Sequence, residues 1–185
     1  MTTNSGPDFT VNRGFPQQEI QKIAVLMFET TWDEEDESKF SLSQVIAVPD
    51  AGSVLADITA SELIKWGRYA VLDRRDLKKQ LFSMKIREEE ILMGSDYENL
   101  GRSLGVDAVV IGVIETFGVS YKKLFGKFAS AIHSKVSFQA ECIEVLTNET
   151  VWSFKVKGSS DDLHERAFAS ALVARAVENL KKEID

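Results

Sequence analysis

The period of apolar and polar positions changes several times along the 185 residues, and each change marks an element. Ile23-Ala24-Val25-Leu26-Met27-Phe28 is a continuous apolar run, too short for an ordinary helix and suited to a strand buried on both faces. Residues 51–66 put Leu55, Ile58, Thr59, Leu63 and Trp66 on one side of a helix that Gly67 stops. Tyr69–Leu72 reads as a second strand. Leu77, Leu81 and Met84 then recur at helical spacing behind Asp73 and Asp76, both placed to cap that helix. A shorter helix from about Tyr97 carries Leu100 and Leu104 and ends at Gly105. Ala108–Ile114, rich in branched residues, predicts a third buried strand. A strand, a helical crossover and a strand make a right-handed parallel unit.

Beyond residue 134 the period falls to two. Lys135–Val145 and Thr150–Lys157 alternate and are joined by Leu146-Thr147-Asn148-Glu149, which predicts an antiparallel hairpin. Trp152, Phe154 and Val156 share one face of its second arm. A closing helix from about Asp161 carries a stripe at Phe168, Leu172, Ala176, Leu180 and Ile184. The order β-α-β-α-α-β-β-β-α implies an α/β fold, a mixed sheet with helices packed on it. Residues 1–21, with Gly6, Pro7, Gly14 and Pro16, read as a tail or an arm laid across the domain. Residues 22–185 then suffice for one core.

Charge narrows the partners. A net charge of −7 argues against sequence-independent binding to nucleic acid, which needs a basic face. Cys142, the one cysteine, allows no intramolecular disulfide and falls on the apolar side of an alternating run, so a buried thiol is expected. No apolar run approaches the eighteen residues of a membrane-spanning helix. The opening Met1–Pro7 lacks the basic start and apolar middle of a signal peptide. Such an opening suits a cytosolic protein, or a chain from which a signal and a lipid-bearing cysteine have been removed.

Catalytic patterns do not emerge. The turn after the first strand leads into five acids instead of the glycines that would cradle a dinucleotide phosphate. Gly101-Arg102-Ser103-Leu104-Gly105 lacks the lysine and hydroxyl of a phosphate loop and reads as a helix end. His133 and His164 stand far apart, and the cysteine has no evident histidine partner. No enzyme, cofactor or metal site is expected. Asp73 reads as a cap residue and Arg74 as its ion-pair partner.

Two segments are unusual. Asp33, Glu34, Glu35, Asp36 and Glu37, beside Trp32 and Phe40, form either a solvated connection or a negative surface for a cationic polymer. Tyr121, Lys122, Lys123, Phe125, Lys127 and Phe128 interleave rings with ammonium groups. That pattern suits a membrane or subunit interface, and equally a hairpin whose rings cap the core and whose lysines protect an edge.

Several words in this chain resemble one family. "Y-A-V-L-D-R-R-D-L" from Tyr69 to Leu77, "L-G-V-D-A-V-V-I-G" from Leu104 to Gly112 and "T-N-E-T-V-W-S" from Thr147 to Ser153 are similar to the curli-secretion CsgG family, bacterial envelope lipoproteins with a TolB N-terminal-like fold. At the hairpin tip Asn148 stands where that family commonly has glycine, a replacement that tolerates a left-handed backbone. The resemblance implies a periplasmic, outer-membrane-tethered, homo-oligomeric partner of other envelope export proteins, its lipid anchor missing here. In the curli channel two long hairpins build a membrane barrel. The corresponding segments here, 29–50 and 118–134, are interrupted by acids and Pro49 or are short and lysine-rich, which argues against that channel. Soluble relatives of the PelC type serve exopolysaccharide export. Those of the LpoB type activate cell-wall synthases, which is the alternative reading.

Overall fold

One strand organises the sheet. In a computed structural model, which describes residues 3–31, 43–88, 90–91, 96–124, 127–162 and 164–185, the strand Ala108–Leu124 (β6) pairs along most of its length with Lys127–Glu144 (β7). Its other edge takes three partners in succession. Lys22–Val25 (β2) runs parallel to Ala108–Val110, Glu29–Thr30 (β3) parallel to Val113 and Ile114, and Ser43–Ala47 (β4) antiparallel to Gly118–Lys122. Beyond β2 lies the short parallel strand Ala70–Val71 (β5). Beyond β7 lie Thr150–Ser160 (β8) and the edge strand Thr3–Val11 (β1), both antiparallel. The path is therefore β1-β8-β7-β6-β2-β5, with β3 and β4 attached to β6.

Alternation along the buried strands sends side chains to two cores. Ile23, Val25, Ala108 and Val110 face Ala51–Trp66 (α1) and Glu165–Ile184 (α4), together with Phe138, Trp152, Phe154 and Phe168. Ala24, Leu26 and Val109 face the opposite way, onto Arg74–Ser83 (α2) and Tyr97–Leu104 (α3) through Leu77, Leu81, Leu100 and Leu104. The expected mixed α/β fold and its element order are present. Three strands are added: β1, β3 and β4.

The added strands have physical reasons. Residues 3–11, read as part of a tail because of Gly6 and Pro7, form an edge strand whose register shifts between Ser5 and Asp8. A proline is tolerated at such an edge irregularity because no ladder hydrogen bond is required there. The strand expected to end at Ile114 continues to Leu124. Its pairing shifts at Glu115, so the buried set moves from Gly112 and Ile114 to Phe117. A bulge changes the phase of alternation without ending the strand. The last helix begins at Glu165, four residues later than expected, because β8 runs on to Ser160.

Local chemistry closes the turns. At the β7–β8 tip Asn148 adopts φ 58°, the left-handed conformation its identity permits. The buried Glu144 carboxylate accepts from the Leu146 and Thr147 amides at 3.0 and 2.6 Å and from the Thr147 hydroxyl at 2.7 Å. Cys142 is fully buried, and burial pushes its thiol well above the ordinary range.

Candidate functional site

In an open sheet with a β5-β2-β6 parallel core, ligands commonly bind beyond the carboxyl end of the strand where crossovers diverge. Here that strand is β2, and its end is occupied by the protein itself. Arg74, the first residue of α2 and almost completely buried, donates from Nη1 to the Val25 carbonyl at 2.8 Å and from Nε to Asp57 of α1 at 2.9 Å. It also pairs with the Glu88 carboxylate, which accepts the Met27 amide at 2.6 Å. Asp73 caps α2 by accepting from the Arg75 and Asp76 amides. The expected Asp73–Arg74 ion pair is therefore corrected: capping uses Asp73, and Arg74 turns inward to Asp57 and Glu88.

The first turn of α1 seals the same corner. Phe28 N–H donates to the Gly52 carbonyl at 3.2 Å, and a Cβ on Gly52 would stand 2.2 Å from the Phe28 oxygen. The bare Gly52 backbone is packed directly against the Phe28 backbone. The crevice is thus filled with an internal ion pair. Among the described residues no cluster of three or more metal-ligating side chains occurs. His133 pairs with Asp161, and His164 with Glu165 at 2.9 Å.

The ring-and-lysine segment lies far from this corner. Tyr121, Lys122 and Lys123 belong to the outer end of β6, and Lys127 and Phe128 to the start of β7; Phe125 falls outside the described residues. Backbone pairing sets Lys122 opposite Ala129 on one side and Ser43 on the other, and Lys123 opposite Phe128. Among the β6 side chains whose surroundings are described, the last in the apolar core is Phe117. Leu124 stands about 23 Å further along the strand at 3.3 Å per residue. The described residues of the segment thus form the outer ends of the paired strands β6 and β7.

Asp33, Glu34, Glu35, Asp36 and Glu37 lie outside the described residues. Their flanks do not. Thr31 binds the Ile114 carbonyl through its amide at 3.1 Å and its hydroxyl at 3.0 Å, and Ser43 pairs with Lys122. Thr31 and Ser43 therefore attach to the same edge of β6, at its middle and near its outer end.

Sequence reasoning missed a polar trough on the sheet face opposite α1 and α4. Thr116, Lys135, Ser137, Lys157 and Ser159 line an open hollow of about 430 Å³. The signal was present as two alternating polar sets, Lys135-x-Ser137 and Lys157-x-Ser159, whose pairing only the register reveals. Beside it, Glu115 accepts from the Ser137 hydroxyl at 2.7 Å and pairs with Lys155. Lys155 first, and then Ser137, hold the Glu115 carboxyl below the usual range.

A parallel core that continues through β6 into an antiparallel meander, with helices on both faces, defines a class of mixed α/β domain. The chain belongs to the CsgG family: the sequence model of the curli production assembly/transport component CsgG matches residues 10–173. No curated protein sequence matches it. Its fold is similar to that of PelC dodecamers from Paraburkholderia phytofirmans. One has a TM-score of 0.63 and 18% identity, over 97% of this chain and 99% of that one. A second has a TM-score of 0.60 and 18% identity, over 98% of each chain. The lipoprotein GNA1162 from Neisseria meningitidis is also similar, with a TM-score of 0.59 and 16% identity over 88% of this chain and 99% of that one.

Proposed function

We propose that this chain is a non-enzymatic component of an envelope export or assembly machine, held at the periplasmic side of the outer membrane by a lipid anchor and acting as a homo-oligomeric ring. The observation that carries the reading is the match to an assembly/transport family across residues 10–173. The fold shared with PelC dodecamers supports the ring. Head-to-tail contacts of one domain close on themselves when the rotation between neighbours permits. A crevice filled by Arg74 and Glu88 fits a scaffold better than a catalyst.

Within such a ring the hairpin end at Tyr121, Lys122, Lys123, Phe125, Lys127 and Phe128 meets the membrane or the next subunit. The acidic residues Asp33, Glu34, Glu35, Asp36 and Glu37, tied at both flanks to β6, offer a negative surface to a cationic polymer. Among the described residues the strand runs from Gly118 to Leu124, shorter than the nine to eleven residues a spanning strand needs, which supports a hairpin end that does not span a bilayer. No described helix is long and apolar enough to cross a membrane.

Expression of the native gene product with labelled palmitate tests the tether and compartment together. The reading expects label on the protein and recovery with the outer membrane. Unlabelled protein in the cytosolic fraction would overturn it.

A further inference from the structure

One flank of α2 has no role in the fold or in the filled crevice. Arg75, Lys78, Lys79 and Phe82 follow one another at i, i+3, i+4 and i+7, so they form a single stripe along the helix. The buried residues Arg74, Leu77 and Leu81 occupy the opposite, inward side. All four stripe residues are exposed, and Phe82, at 84%, is the most open large apolar side chain among the described residues. A lone exposed ring is ordinary. One aligned with three cations, in a chain of net charge −7, is a defined surface. Lys79 pairs with Asp76 at 3.0 Å, both side chains more than half exposed, and such pairs contribute little. Lys78 donates to the neutral Ser53 hydroxyl of α1 at 2.9 Å and keeps its charge.

A patch of opposite sign lies on the sheet. Val113 of β6, 38% exposed, stands opposite Glu29 of β3 on one side and Gln139 of β7 on the other. One row inward, Ile111 stands opposite Glu141. Paired neighbours project to the same face, here the face that carries α2 and α3. Tyr97 opens α3 and packs on the core of that face with Ile111. Burial first, and then Glu141 and Glu29, push its phenol above the ordinary range, so both carboxylates stand near it. Glu29 is exposed, and Glu141 accepts the Gln139 side-chain amide. Lys155, next in the Val113 row, is held by Glu115. The patch is thus an apolar centre, Val113 and Tyr97, between two carboxylates.

We infer that the α2 stripe of one copy docks on the Val113 patch of the next, with Phe82 on Val113 and Tyr97 and the cations toward Glu29 and Glu141. The inference rests on the ring reading above and names its contact. Charge and shape class both match: a ring with cations on one side, an apolar strip with carboxylates on the other. An aromatic centre inside a charged rim is the usual anatomy of a specific interface. The rim fixes register and rejects like-charged alternatives. The two surfaces do not meet within one chain. Lys78 reaches α1, on the other face of the sheet, so its flank of α2 turns past the border of the sheet, whereas the patch lies over β3, β6 and β7. Joining two different surfaces of one chain is the contact that a ring repeats.

Charge exchange on the whole chain tests this, with mass read by light scattering behind a sizing column. One variant is Lys78→Glu/Lys79→Glu and the other Glu29→Lys/Glu141→Lys. Each should melt within about 2 °C of wild type, because the changes are at the surface. Alone, each sets like charges against each other and should shift toward the 20.7 kDa single chain. Mixed in equal amounts, they should recover the wild-type mass, since each stripe then meets a patch of opposite charge. Phe82→Ser should also lower the mass without lowering the melting temperature. Variants that each keep the assembled mass, or a mixture that stays dissociated, would overturn the contact and leave the ring reading standing. So would intact assembly of the Lys78→Glu/Lys79→Glu variant with loss of binding to phosphatidylglycerol vesicles, which would give the stripe to a membrane. A wild-type chain that never assembles would defeat the ring and this contact together.

Discussion

Arg74 and Glu88 pair in the interior at the carboxyl end of β2, their side chains 9% and 10% exposed, and between them they bind the backbone of Val25 and Met27. A buried ion pair is costly to break by halves, because the surviving charge loses its compensation. Glu88→Ala should therefore cost about 3–5 kcal/mol in urea unfolding. The double variant Arg74→Leu/Glu88→Ala should recover part of that loss. Single variants that each cost less than about 1 kcal/mol would show that solvent reaches the pair and compensates it.

Two buried acids predict the alkaline limit of stability. Burial pushes the Cys142 thiol up from 9.0, and burial, followed by the Cys142 charge, pushes the Tyr69 phenol up from 10.0. In the unfolded chain both groups lose their protons near those ordinary values. Above them the unfolded state binds fewer protons than the folded state, so stability must fall as pH rises. The urea midpoint should be flat through neutrality, decline from about pH 9 and steepen past about pH 10. Cys142→Ala should remove the earlier part of that decline. The native thiol should also resist a disulfide reagent at pH 8 until the protein is unfolded; rapid native reaction would contradict its burial.

Gly112 supports the ring of Phe28, the residue between β2 and β3. A Cβ at Gly112 would stand 2.5 Å from that ring. Gly112→Ala should destabilise the fold by about 1–3 kcal/mol, the usual cost of overpacking. Phe28→Leu should relieve part of it in a double-mutant cycle, since the two residues touch. Additive effects would place the strain elsewhere.

Much of this architecture was legible in the residues. Continuous apolar runs such as Ile23–Phe28 and Ala108–Ile114 announce covered strands because each is rich in branched residues and too short for an ordinary helix. The β7–β8 tip was legible down to the left-handed Asn148. What failed was phase. The bulge at Glu115 moved the buried set by one residue, so β6 looked finished at Ile114 when it continues to Leu124. Gly6 and Pro7 hid β1 in the same way, by marking an irregularity that the edge of a sheet accepts. The Arg74–Glu88 pair could not be read because Arg74 opens α2 and Glu88 lies past its other end, and only the turn back toward β2 brings them together. The trough was hidden because its lysines and serines meet only through register.

The hairpin end gives a test that separates interface from core. Because it runs beyond Phe117, Phe125→Ser/Phe128→Ser should melt within about 2 °C of wild type, as surface changes do. It should lose liposome binding or fall apart into smaller species. A loss of about 3 kcal/mol or more would instead place these rings in the core.

The central claim is assembly, and the mass of the particle in solution tests it most directly. Light scattering behind a sizing column, on the chain at tens of micromolar, should give one species at a fixed multiple of 20.7 kDa that holds its mass on dilution. The Phe125→Ser/Phe128→Ser variant should shift toward the single chain. A 20.7 kDa species at every concentration, unchanged when the chain is tethered to a membrane, would contradict the ring and favour a monomeric activator that docks on an envelope enzyme.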